Sequence, residues 1–180
     1  MGDTDRRAAR TKKALQRAML ELLNKKDISK ITVSELTELA DIGRGTFYLH
    51  YMDAYDLLDK LEDELLGQIT NNAPPVAEHN NSNSLLIHLE NIWQYIYKNM
   101  DSFKVLMNRH NVTRFMNKMK IYCEESILNN NKSNLQNSVE FYGIIYYISG
   151  SLGIFQKWIE EGAPIPPSKL AQIVRGLIKD

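Results

Sequence analysis

The amino-acid sequence predicts an all-α fold of about nine helices. Three observations carry that expectation. Apolar residues recur at i, i+3 and i+4 in segment after segment, capping residues stand before several of those segments, and no strand alternation, hairpin dipeptide or internal repeat interrupts them. The chain has 180 residues, 43% of them apolar and 24% charged, which suits one compact unit or two intimately packed ones with a substantial core.

Residues 5–25 read as the first helix, with Leu15, Met19 and Leu22 beside Ala8 and Ala18 on its apolar stripe. A turn at Asp27-Ile28-Ser29-Lys30 leads to ITVSELTELADIGRGTFYLHY, residues 31–51, around which the chain is organised. Thr32 followed by Glu35 is a capping-box pair, so a short helix starts at Val33 and buries Val33, Leu36, Leu39 and Ala40. Asp41-Ile42-Gly43 breaks it. Gly43 is an acceptable N-cap for a second short helix from Arg44, in which Phe47 and Tyr51 face inward. Asp53 caps a fourth helix, residues 53–69, with Leu57, Leu58, Leu61, Leu65 and Ile69 inward. NNAPPVAEHNNSNS (71–84) reads as a loop and as the one plausible domain boundary.

Beyond it, residues 85–99 form an amphipathic helix on Leu85, Leu89, Ile92, Trp93 and Ile96, and Asp101 or Ser102 caps a short one. Residues 111–128 form another helix, and NNNKSN (129–134) another loop. Residues 136–161 are the longest helical segment, uncharged from Phe141 to Phe155. Those fifteen residues reach only ~22 Å at ~1.5 Å rise, short of a ~30 Å hydrocarbon core. A helix buried on most sides is expected instead, with Gly143, Gly150 and Gly153 allowing another helix to approach. Gly162-Ala163-Pro164 stops it, Ser168 caps the last helix, and Leu170, Ile173, Val174 and Leu177 form that helix's stripe.

Two short helices joined by a three-residue turn form a helix-turn-helix. Such pairs also occur in helical proteins that never touch DNA. The outward set here favours DNA: Arg44, Thr46, Tyr48 and His50 all carry hydrogen-bonding side chains on barely two turns. Arg reads guanine bidentately, while Thr and Tyr suit phosphate and thymine-methyl contacts. Lys and Arg (22) balance Asp and Glu (22), which argues against a purely electrostatic nucleic-acid binder. The distribution is uneven, however, with six basic and no acidic residues from Arg6 to Arg17. Arg6, Arg10, Lys13 and Arg17 share one helix face, which is either solvated or set against phosphate.

GTFYLHY, preceded by ITVSELTELADIGR and followed by MDAYDLLDKL, resembles the DNA-binding domain of the TetR/AcrR family of bacterial transcriptional regulators. The likeness is strong over residues 9–66 and weaker beyond. It implies an all-α homodimer with a DNA-binding domain at residues 1–52 and a ligand-binding and dimerisation domain at 53–180, connected by helix 53–69. Three residues depart from the family pattern. Asp41 stands for the usual turn Gly, Gly43 for the usual Ser N-cap, and Ala54 for a Lys that often meets phosphate.

The expected DNA contacts are Arg6, Arg10, Lys13, Thr32, Val33, Arg44, Gly45, Thr46, Tyr48 and His50. A dimer is expected because one recognition helix reads few base pairs, whereas two ~34 Å apart read a palindromic operator in duplex DNA. Gly143, Gly150, Gly153, Trp158, Ile173 and Leu177 are the candidate dimer contacts. Trp93, Tyr97, Phe103, Phe115, Met119, Tyr122, Tyr142 and Tyr146 are candidates for an apolar effector pocket with polar tips, or else core. The expected output is repression released by a small apolar or amphipathic ligand. The alternative is control by a protein partner. No phosphate loop, nucleophile elbow or metal-ligand spacing occurs, so neither an enzyme, a cofactor nor a metal is expected. The single cysteine, Cys123, reads as a small buried apolar residue, and without a signal-peptide pattern the expected setting is cytoplasmic, with no membrane partner.

Overall fold

The computed structural model describes residues 3–72, 82–130 and 139–178, and these are all-helical. In order they form α1 (Asp3–Leu23), α2 (Val33–Leu39), α3 (Arg44–Tyr48), α4 (Ala54–Asn72), α5 (Ser82–Lys98), α6 (Met100–Leu106), α7 (Val112–Asn130), α8 (Val139–Glu160) and α9 (Pro167–Ile178). A 3₁₀ turn at Ile28–Lys30 precedes α2, held by the Asp27 carboxylate accepting from Ser29 N at 2.8 Å. Both expected loops fall largely on residues 73–81 and 131–138, outside the described residues.

Helix α2 begins where the sequence requires. Thr32 Oγ1 accepts from Glu35 N, and Glu35 Oε2 accepts from Thr32 N, completing a reciprocal cap. It ends in a Schellman motif: Ile42 N donates to Thr37 C=O and Asp41 N to Glu38 C=O. That motif places Asp41 at φ +53°, the left-handed geometry that a Gly would take without strain. The same pattern closes α8, with Ala163 N donating to Trp158 C=O and Gly162 at φ +77°.

Burial corrects several local expectations. Only Leu36 and Thr37 of α2 are buried, and Leu39 is exposed, because a seven-residue helix presents barely one turn to the core. Asn99, not Asp101 or Ser102, is the N-cap of α6, and its side chain donates to Tyr95 C=O instead of capping. Ser168 is not a cap: α9 starts at Pro167, whose fixed φ and missing N–H suit the first helical position. Ile173 and Leu177 leave the stripe of α9, where Pro167, Leu170, Ala171 and Val174 are the buried residues. Helix α8 is not buried on most sides. Ile148, Leu152, Phe155, Trp158 and Ile159 face the core, whereas Val139, Tyr142, Gly143, Tyr146, Gly150 and Gly153 form an exposed stripe at helical spacing.

The core is continuous from α1 to α9. Helix α4 packs on α1, α5 and α7, α5 lies along α9, and α6 meets both α1 and α8. None of the helices is long and apolar enough, among the described residues, to cross a membrane.

A candidate nucleic-acid interface

Phe47 is fully buried and pins α3 by its inner face, whereas Tyr51 and His50, expected within this helix, lie beyond its end at Tyr48. The nearly buried Tyr51 ring stands 5.7 Å from that of Phe47. Truncating Phe47 to Ala would cost ~3–5 kcal/mol, enough to release α3 from the core. With that face fixed, Arg44, Gly45 and Tyr48 are exposed, and Thr46 and His50 half-buried. The Arg44 guanidinium donates to Ser34 Oγ at 2.8 Å, which links α3 to α2 and orients a fork that has five donors in all. Gly43 caps α3 with no side-chain hydrogen bond, as its sequence requires.

The remaining candidates divide. Arg6, Arg10 and Lys13 are exposed on α1. Thr32 spends its hydroxyl within the α2 cap, accepting from Glu35 N and donating to Glu35 Oε2 at 2.9 Å. Lys26 joins the other oxygen of the same carboxylate, and together these bonds hold the Glu35 carboxyl down at about 2. Val33 is half-buried against the core. Ala54, where the family pattern has Lys, is buried at the start of α4.

One residue here escaped sequence reasoning. Lys60, two turns into α4, donates to His50 C=O at 3.2 Å, pairs with Asp56 at 2.9 Å and lies 5.3 Å from the centre of the Tyr51 ring. It ties the end of α3 to α4. Its i,i+4 relation to Asp56 was visible in the sequence, but its reach to α3 was not.

The candidate effector residues do not converge on one cavity. Trp93, Phe103, Phe115 and Met119 are buried core, with Phe103 against both Phe115 and Phe155 at about 6 Å between ring centres. Tyr97, Tyr142 and Tyr146 lie at the surface, and Tyr122 is half-buried. Of the dimer candidates, Gly143, Gly150, Gly153, Ile173 and Leu177 are exposed. Trp158 is not. It turns into the core edge-to-face on Trp93, and its indole N–H donates to Ile165 C=O at 3.0 Å, so it braces the turn after α8. Cys123 is half-buried, and burial pushes its thiol up to about 11.

This arrangement agrees with comparisons to known proteins. Residues 83–180 match the TetR-type "Transcriptional regulator C-terminal region", and the chain belongs to the TetR family of transcriptional regulators. The HTH-type transcriptional regulator YxbF of Bacillus subtilis strain 168 is 28% identical over 170 residues, covering 91% of this chain and 43% of that protein. The chain thus spans less than half the length of that relative. Among solved structures, a TetR transcriptional regulator from Streptococcus agalactiae 2603V superposes with a TM-score of 0.65 at 22% identity over 98% of both chains. The fatty acid degradation regulator FadR from Bacillus halodurans superposes at 0.66 with 12% identity, over 93% of this chain and 94% of that one. At those identities the likeness is one of fold.

Proposed function

We propose that the protein is a cytoplasmic homodimer that binds a palindromic operator in duplex DNA and represses transcription. Residues 1–52 form its DNA-binding unit, and residues 53–180 carry effector control and dimer contacts. The observation that carries this reading is the division of α3: Phe47 locks one face into the core, leaving Arg44 and Tyr48 exposed on the other. Arg44, oriented by Ser34, suits a guanine edge, and Tyr48 suits a phosphate. Dimerisation is supported by the exposed stripe of α8 and by Ile173 and Leu177 of α9.

The test is selection of duplexes from a random pool, followed by Arg44→Ala and Tyr48→Phe at fixed salt. Arg44→Ala should weaken specific binding by ~1–3 kcal/mol and relax one position of the site. Tyr48→Phe should weaken specific and non-specific binding alike. Unchanged affinity in both variants rejects the assignment.

Control has two readings. Trp93 buries its indole N–H without a hydrogen-bond acceptor among the described residues, which suits a small apolar ligand bearing one acceptor. Control by a protein partner is the alternative, and it needs no cavity among the packed rings of Phe103, Phe115 and Phe155. A thermal-shift screen with metabolites and apolar ligands separates them, since a ligand that binds the folded state alone must raise the unfolding temperature.

A further inference from the structure

Asp59, Glu62 and Asp63 share one face of α4, and Arg114 and Lys118, i and i+4 on α7, meet that face. Glu62 is the centre. Its side chain is 1% exposed, Arg114 Nη1 donates to its Oε1, and Lys118 Nζ lies 3.3 Å from its Oε2. Arg114 spends its other terminal nitrogen on Asp59, and Lys118 reaches the Asp59 carbonyl at 2.9 Å and the Asp63 carboxylate at 2.8 Å. Burial pushes the Glu62 carboxyl up, against the pull of the two cations, so the cluster is held against a desolvation cost.

Such a cluster is a poor way to add stability, because desolvation offsets most of the attraction. It is an effective way to set geometry. A guanidinium fork and a fixed carboxylate admit one register, whereas apolar side chains slide and rotate. The same short stretch of α4 also holds the DNA-binding unit. Lys60, between Asp59 and Glu62, bonds the His50 carbonyl at the end of α3. One turn of α4 therefore grips α7 on one side and the end of α3 on another.

We propose that the Glu62–Arg114–Lys118 cluster is a latch that fixes the tilt of α4 on α7, making Arg114 and Lys118 positioning residues for operator binding. The operator part rests on the DNA-binding reading above. The latch itself is a statement about geometry and holds without DNA.

The experiment compares the parent with Glu62→Met/Arg114→Met, a paired replacement that leaves no buried charge at either position. Spin labels at Glu38→Cys and Glu160→Cys, in a Cys123→Ala background and diluted into unlabelled protein, report the α2–α8 distance within one protomer. The unfolding temperature is expected to hold or rise, while the distance distribution broadens and affinity for the selected operator falls roughly tenfold or more. A merely structural cluster would lower the unfolding temperature and leave the folded fraction with the parent's distances and affinity, and that result overturns the latch. Arg114→Lys keeps the charge but loses the fork, and should give an intermediate width. If the double variant does not fold, a parental width in Arg114→Lys overturns the proposal. If the parent enriches no duplex, the DNA-binding reading fails, while the distance distribution still decides the latch.

Discussion

Gly150→Leu separates packing within a protomer from packing between protomers. Among the described residues, no heavy atom outside the adjoining backbone of α8 lies within 4 Å of a Cβ built on Gly150, and the same holds for Gly153. In the isolated chain the leucine therefore meets open space. It should stabilise α8 by up to ~1 kcal/mol, because Gly is a poor residue for a helix interior. In a two-fold dimer each substitution is met twice. If α8 lies at the interface, overpacking of ~1–3 kcal/mol per copy gives ~2–6 kcal/mol in all. The dimer dissociation constant should then rise by about 30-fold to 10⁴-fold. Sedimentation across a concentration series measures that constant, and urea unfolding of the dilute protein measures the protomer. The expected result is a monomer that is at least as stable as the parent protomer and no longer binds the operator. A variant as dimeric as the parent refutes the placement of α8 at the interface, and a parent that is monomeric at micromolar concentration refutes the dimer.

Three further outcomes follow from single features. Neutralising Arg6, Arg10 and Lys13 should flatten the dependence of log K on log salt by ~0.9 for each phosphate that these side chains neutralise, and an unchanged slope would return them to solvent. Asp41→Gly should stabilise the protein by ~0.5–1 kcal/mol by relieving the left-handed backbone at φ +53°, read as a shift in urea midpoint. A destabilised variant would mean that the Asp41 side chain makes an interaction outweighing the strain. The third concerns pH. Glu35 has its carboxyl lowered from 4.5 to about 2 by Lys26 and by Thr32. A lowered acid contributes stability that is full above its unfolded value and lost as pH falls through the folded one. Glu35→Gln should therefore be less stable than the parent at pH 6 and approach it below pH ~3. An equal deficit at both values would assign the effect to packing rather than charge.

Much of the fold was legible because it rests on local chemistry. Thr32 and Glu35 specify the start of α2, and Phe47 specifies which face of α3 turns inward, although the helix stops at Tyr48, short of the Tyr51 that its spacing had included. Periodicity did less well where a helix is apolar all round. For α8 it gave a buried helix, since nothing in the order of Tyr142, Tyr146 and Gly150 says whether this chain or a second copy covers them. The same ambiguity placed Trp158 at a dimer interface. Only the three-dimensional path, which brings the Ile165 carbonyl back over the indole, turns that side chain inward.

Glu62 shows the sharper limit. It lies at helical spacing from Leu58, Leu65 and Leu66, but a carboxylate in a stretch that also holds Asp53, Asp56, Asp59, Asp63 and Glu64 is not read as core. The side chain is nonetheless buried, because Arg114 and Lys118 arrive from 52 and 56 residues away, 114 − 62 and 118 − 62, and neutralise it. Helical spacing identifies apolar residues as inward because water rejects them whatever their neighbours. A charged residue turns inward only when a partner meets it there, and that partner is a property of the tertiary arrangement. An apolar α4–α7 seam would have been legible from helical spacing alone, whereas a buried carboxylate met by two cations from α7 is not.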